Sequence, residues 1–370
     1  MLKNVKKACR EKHDGGKKYC SGDGNICDET RAQSQNTFIS LHCKDCLKEC
    51  MKYKKWIDIK FEEFKEQQNK YGNELQKLNG NSNGGGDNNC CTEKKKKNTA
   101  AEFLKELKHC KNGQNNSEEK GTEEDEKNNE INFDKPENTF NPSTYCKACP
   151  VYGVNCNNKK SECVPISEET YKSTKGSRGE NNDDKTTSVI EVLMLDRKGK
   201  DKTNDLDNDC KINELLKYAG VQKWECQKKK GIDQCNLTNP GAKTDDDKNI
   251  WFNEFFQRWL RDFVRDYNIL KGKIKACIKN ENEKEKEKSH KCIQGCDDKC
   301  ECVKQWLDKK STEWDEMKKH YEKHSNDDNE TIAFRVKSYF REQLHFDNQA
   351  TKAQEVVETP CEKQQLWGCT

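Results

Sequence analysis

The sequence predicts a mostly α-helical chain: disulfide-stapled helical bundles joined by long loops, with at most a small β element. Three observations carry that expectation. The chain holds 23 cysteines in 370 residues. Apolar residues recur at steps of three and four over three long stretches. Between them lie low-complexity stretches that bury too little apolar surface to offset their ordering entropy. The cysteines are far more numerous than in a reduced cytosolic protein, and few follow a metal-ligand spacing, so most are expected to be disulfides formed outside the cell.

Each element follows from its own pattern. The first helix is expected over 46–78, where Cys50, Tyr53, Ile57, Phe61, Phe64, Tyr71, Leu75 and Leu78 form one stripe. The second is expected over 251–278, with Phe252, Phe256, Trp259, Phe263, Tyr267, Leu270, Ile274 and Ile278 on one face. The third covers 299–324 and carries Val303, Leu307, Trp314, Met317 and Tyr321. Weaker helical patterns run over 99–109, 211–218 and 331–344, and 189–195 is the one short apolar run that invites a sheet. Polar loops are expected at 79–89, 111–129 and 173–185, with a Glu/Lys alternation at 280–289.

An internal repeat relates two of the helices. Shifting the chain by 250 positions places Cys46 on Cys296, Cys50 on Cys300, Trp56 on Trp306, Asp58 on Asp308, Lys60 on Lys310, Glu63 on Glu313, Glu66 on Glu316 and Tyr71 on Tyr321. Each copy reads as a cysteine-stapled helix that docks its Trp face on neighbours, so Trp56 and Trp306 are both expected to be buried.

Charge and motifs exclude several functions. The 69 Lys and Arg against 66 Asp and Glu leave a net charge of +3, so no global attraction to nucleic acid or membrane follows. No apolar window of about 18 residues exists. The basic start lacks an apolar core, so neither a membrane helix nor a signal peptide is expected. The chain reads as a fragment, which its odd cysteine count fits. No nucleophile elbow, zincin motif or phosphate loop is present, and no catalytic residue or cofactor is expected.

The spacings Cys43-x-x-Cys46 and Cys146-x-x-Cys149 suit zinc, with His42, Cys50 or Cys156 completing a set. The competing reading, disulfides and no metal, is adopted for Cys46, Cys50, Cys146, Cys149, Cys156, Cys296, Cys300 and Cys302. Cys300 and Cys302 are each expected to bond elsewhere, since side chains two apart on a helix point to different sides. The basic runs Lys94, Lys95, Lys96, Lys97 and Lys228, Lys229, Lys230 are either solvated loops or a grip for a sulfated glycan. Asn115, Asn236 and Asn329 head glycosylation sequons.

Two aromatics fall off the stripe of the second helix. At 100° per residue, Trp251 points about 130° and Phe255 about 90° from its centre. Either a second layer formed by 189–218 covers them, or they are exposed anchors for a partner. In the second case Trp251 and Phe255, rimmed by Arg258 and Arg265, mark a receptor-binding surface.

Several stretches together resemble a known family. Tyr19-Cys-Ser-Gly-Asp-Gly-Asn-Ile-Cys27, the Cys43/Cys46/Cys50 triplet and Tyr53-Lys-Lys-Trp-Ile57 resemble the last subdomain of a Duffy-binding-like domain. Tyr145-Cys-Lys-Ala-Cys-Pro-Val-Tyr-Gly-Val-Asn-Cys156, Phe255-Phe-Gln-Arg-Trp-Leu260 and Cys300-Glu-Cys-Val-Lys-Gln-Trp306 resemble the cysteine-rich interdomain region that follows it in erythrocyte membrane protein 1 of malaria parasites. The resemblance implies a Duffy-binding-like subdomain at 1–78, a linker at 79–98, an interdomain region at 99–325 and a C-terminal helical segment at 326–370. It also implies an extracellular adhesion module on infected erythrocytes that binds a host endothelial receptor beside neighbouring Duffy-binding-like domains. The alternative is a structural segment of a member that binds chondroitin sulfate proteoglycan through Lys. The chain departs from the family pattern in lacking the first two subdomains and in its tail at 326–370.

Overall fold

The computed structural model describes residues 1–11, 19–27, 41–80, 98–106, 131–156, 163–175, 186–195, 219–240, 247–277 and 296–324, with single positions at 124, 127, 128, 210, 215, 216, 332, 336, 339 and 340. Helix α1 is Leu2–Arg10, α2 is Lys44–Gly80, α3 is Ala100–Glu106, α4 is Glu168–Lys175, α5 is Phe252–Ile274 and α6 is Asp297–His324. The three long helices read from the sequence are α2, α5 and α6, each within a few residues of its expected bounds. No helix is long and apolar enough to cross a membrane among the described residues.

In the first region, α1 and the N-terminal half of α2 enclose Val5, Tyr53, Ile57 and Tyr145 around cysteines. Cys9–Cys46, Cys20–Cys43 and Cys50–Cys146 staple them. Further along α2, Phe64 stacks on Phe133 and Tyr71 meets Phe103 of α3, at centroid distances of 5.7 Å each. Among the described residues, α3 and Phe133 and Phe140 therefore pack on α2.

The second region is a four-stranded antiparallel sheet against two helices. Strands β1 (Val154–Cys156) and β2 (Cys163–Pro165) make a small separate ribbon. Strands β3 (Ser188–Met194), β4 (Gly220–Lys229), β5 (Ile232–Leu237) and β6 (Asn249–Trp251) pair in chain order. Residues 189–195 thus resolve as strand. The remaining strands went unread because Lys228 to Lys230 looks like a solvated run. Alternation gives them away: Trp224 and Cys226 are buried while Lys223 and Glu225 face out. The β4–β5 turn is the dipeptide Lys230-Gly231, both at positive φ (54° and 75°), the backbone a two-residue hairpin demands. Cys226 and Cys235 lie directly opposite in that hairpin and are bridged.

Helices α5 and α6 pack their aromatic faces together: Phe263 stacks on Trp306 at 5.6 Å and Trp259 on Trp314 at 6.1 Å. From the tail, Ile332, Val336, Tyr339 and Phe340 are buried in the same cluster, at the spacing of one helix face. Cys210–Cys302 and Cys277–Cys296 close this region.

Candidate adhesion surface and the joint behind it

Trp251 and Phe255 are both interior residues, which corrects the expected receptor anchors. The sheet covers the side of α5 that was to face a partner, and Phe255 meets Trp224 of β4 at 5.1 Å. Trp251 sits among Cys27, Cys149, Val151 and Tyr171, and its Nε1 donates to the Val151 carbonyl at 2.8 Å. A second layer does cover both aromatics, but other residues than the expected 189–218 supply these contacts: Trp224 of β4 meets Phe255, and Trp251 lies among Cys27, Cys149, Val151 and Tyr171. The expected rim is also engaged. Arg265 pairs with Asp262 and Asp266 on its own helix, and Arg258 turns inward.

Arg258 belongs to a buried polar joint between the two regions. Loop 19–27 enters it because Gly22 has no side chain: a Cβ there would lie 2.2 Å from the Cys146 carbonyl oxygen. From this loop Asp23 accepts from Arg258 at 2.7–3.1 Å and from Arg261, while Asp247 takes Arg258 from the other side at 2.6 Å. Burial opposes the Asp23 charge, but the guanidiniums of Arg258 and Arg261 outweigh it and hold the carboxyl down at about 2. Glu254, one turn before Arg258, accepts from Asn25 at 3.0 Å and from the Cys149 amide at 3.1 Å. Burial, helped by the charge of Asp23, lifts Glu254 to about 8. Cys27–Cys149 crosses the same boundary covalently. The joint makes the two regions one unit rather than beads on a linker.

The predicted cysteine set is bridged throughout. Cys46, Cys50, Cys146, Cys149, Cys156, Cys296 and Cys302 lie in the disulfides already named or in Cys156–Cys163, and Cys300 is disulfide-bonded as well. The sulfurs of Cys9, Cys46 and Cys50 converge within 4.8 Å of one another, but each belongs to a bridge and offers no thiolate to a metal.

Of the two basic runs, Lys94 to Lys97 lie outside the described residues. Lys228 and Lys229 end β4, and Glu168 of α4 pairs with Lys230 and lies 3.7 Å from Lys229. Glu168 is held down to about 2, chiefly by the hydrogen bond from Lys230. This run is part of a hairpin docked on α4.

The large apolar residues left at the surface cluster partly on α2: Met51, Trp56 and Ile59 are exposed there. Trp56 was expected in the core. It lies about 100° round the helix from Ile57, the centre of the buried stripe, an offset that its repeat partner Trp306 shares while buried, so the neighbours rather than the angle decide.

Three family descriptions match the chain: "Duffy-binding-like domain, C-terminal subdomain" over residues 1–144, "Cysteine-Rich Interdomain Region 1 gamma" over 187–239, and "PFEMP1 DBL domain" over 255–370. The two Duffy-binding-like matches contain the two copies of the internal repeat. Among solved structures, the N-terminal NTS-DBL1-alpha and CIDR-gamma double domain of the PfEMP1 protein from the Plasmodium falciparum varO strain is 34% identical, with a TM-score of 0.70 over 96% of this chain and 49% of that one. The chain thus spans about half the length of that relative. The NTS-DBL1(alpha-1) domain from the same strain is 37% identical over 45% of this chain and 35% of its own, with a TM-score of 0.36. No curated protein matches the chain.

Proposed function

The chain belongs to the erythrocyte membrane protein 1 family, whose Duffy-binding-like and interdomain modules are adhesion modules of a variant surface antigen, and from that premise we propose that it is a non-catalytic module binding a host endothelial protein receptor. It works on the outer face of the infected erythrocyte, beside further Duffy-binding-like domains of the same protein. The observation that carries a protein partner over a glycan is the contrast between the two kinds of surface. Lys229 and Lys230 are drawn onto Glu168, whereas Met51, Trp56 and Ile59 stand exposed on one helix. Anchors of that kind dominate protein interfaces, and a sulfated chain needs unpaired cations.

The test is a binding panel of purified endothelial receptors and chondroitin sulfate against the whole chain, repeated across ionic strength. Saturable binding to a receptor with weak salt dependence supports the reading. Binding to chondroitin sulfate alone, falling steeply with salt, replaces it with the glycan reading through Lys94 to Lys97.

A further inference from the structure

The internal repeat shows what one face of α2 is built to hold. In α6, Lys310 and Glu313 are an ion pair at 2.8 Å, and together they grip one residue of the edge strand β3. Lys310 Nζ donates to the Leu193 carbonyl at 2.6 Å, and Glu313 Oε1 accepts from the Leu193 amide at 2.7 Å. Trp306, one turn before, is buried beneath them. A helix thereby caps the open backbone of an edge strand, satisfying a donor and an acceptor that would otherwise template pairing.

In α2, Trp56, Lys60 and Glu63 occupy the same register. Lys60 and Glu63 form the same pair, at 2.6 Å, on a face open to solvent, with Trp56 38% exposed beside them. The chemistry of the pair is complementary to one extended residue, an ammonium for its carbonyl and a carboxylate for its amide. On this face the copies differ beyond it in both directions: Cys302 of α6 is matched by Lys52 of α2, and Met317 and His320 by Gln67 and Lys70. The shared face therefore runs only from Trp56 to Glu63, about 11 Å of helix. That length matches an extended segment of about three residues.

We infer that the Trp56–Lys60–Glu63 face of α2 is a docking surface for a short edge strand of a protein partner, gripped through its backbone as β3 is gripped by α6. This deepens the proposed function by naming the surface and the form of the receptor segment, and it rests on that reading for the identity of the partner.

The probe is a labelled, end-capped peptide of the Ser188–Met194 sequence, titrated into the whole chain. The expected result is saturable binding that weakens about ten-fold or more in Trp56→Ala and in Glu63→Ala, the scale of losing an interface anchor. Circular dichroism and melting should stay as in the parent. A peptide N-methylated at the residue standing for Leu193 should lose binding equally, because it lacks the amide proton. Absence of saturable binding, unchanged affinity in both variants, or equal binding by the N-methylated peptide each overturns the inference. The receptor panel judges the function separately. A receptor that binds the parent and both variants alike leaves the function standing and removes this face from it, while peptide binding without any receptor keeps the face and rejects the function.

Discussion

Helices α2 and α6 carry the same residues in the same register and put them to opposite use. Trp306 is 0% exposed and Trp56 is 38% exposed. The side chains of Lys310 and Glu313 are 3% and 2% exposed, those of Lys60 and Glu63 41% and 53%. The copies share the heptad-scale spacing and the cysteine pair that begins each helix. They differ in what lies alongside: α6 has the β3 edge and α5, while α2 has α1, α3, Phe133 and Phe140 on another side. A Lys-x-x-Glu pair is thus a surface ornament in one place and a buried backbone clamp in the other, so neither burial nor energetic weight belongs to the motif itself.

The comparison breaks first at the tryptophans. Trp306→Ala should cost about 3–5 kcal/mol in chemical denaturation, as a large aromatic lost from a core. Trp56→Ala should cost under about 1 kcal/mol, so equal losses would mean that the two helices are buried alike. Next comes the pair. Glu313→Ala leaves Lys310 buried without its counter-ion and strands the Leu193 amide, a loss of about 3 kcal/mol or more.

A pH titration of stability sharpens the contrast by reading the joint between the two regions. The folded pKa of Glu254, about 8, lies above its ordinary value of 4.5, so the folded state holds a proton that the unfolded chain has released. Its contribution is complete below pH 4.5, falls as pH rises through the interval and is gone above about 8. Glu254→Gln should flatten that slope, and an unchanged slope would show that Glu254 ionises normally in the joint. Asp23 runs the other way, its contribution being full above about 3.8 and lost toward pH 2. The smallest effect belongs to Glu63→Ala: about 0–1 kcal/mol, the range of an exposed pair, in the same denaturation assay.

Much of this architecture was legible in the chain. Periodicity located α2, α5 and α6, and cysteine number pointed to a bridged framework. What escaped was two-dimensional. β4 and β5 alternate buried and charged residues, but Lys228 to Lys230 sits at their turn and reads as a loop until Gly231 and the positive φ of Lys230 are seen as hairpin chemistry. Because that sheet went unread, a cover for Trp251 and Phe255 was sought in 189–218, and exposed anchors stood as the alternative. The joint was illegible for a different reason: Asp23, Asp247, Glu254, Arg258 and Arg261 are ordinary charged residues in sequence, and their meeting spans 238 positions at its widest.

By itself the sequence determined the helical stripes, the abundance of bridges and the duplicated cysteine-tryptophan helix, because these depend on spacing within a few turns of one chain segment. Only the tertiary structure decided which cysteine meets which, which Trp is core and which Lys-Glu pair is buried. Those outcomes depend on the neighbour that arrives from more than a hundred residues away, as β3 does at α6, and no local pattern records its arrival.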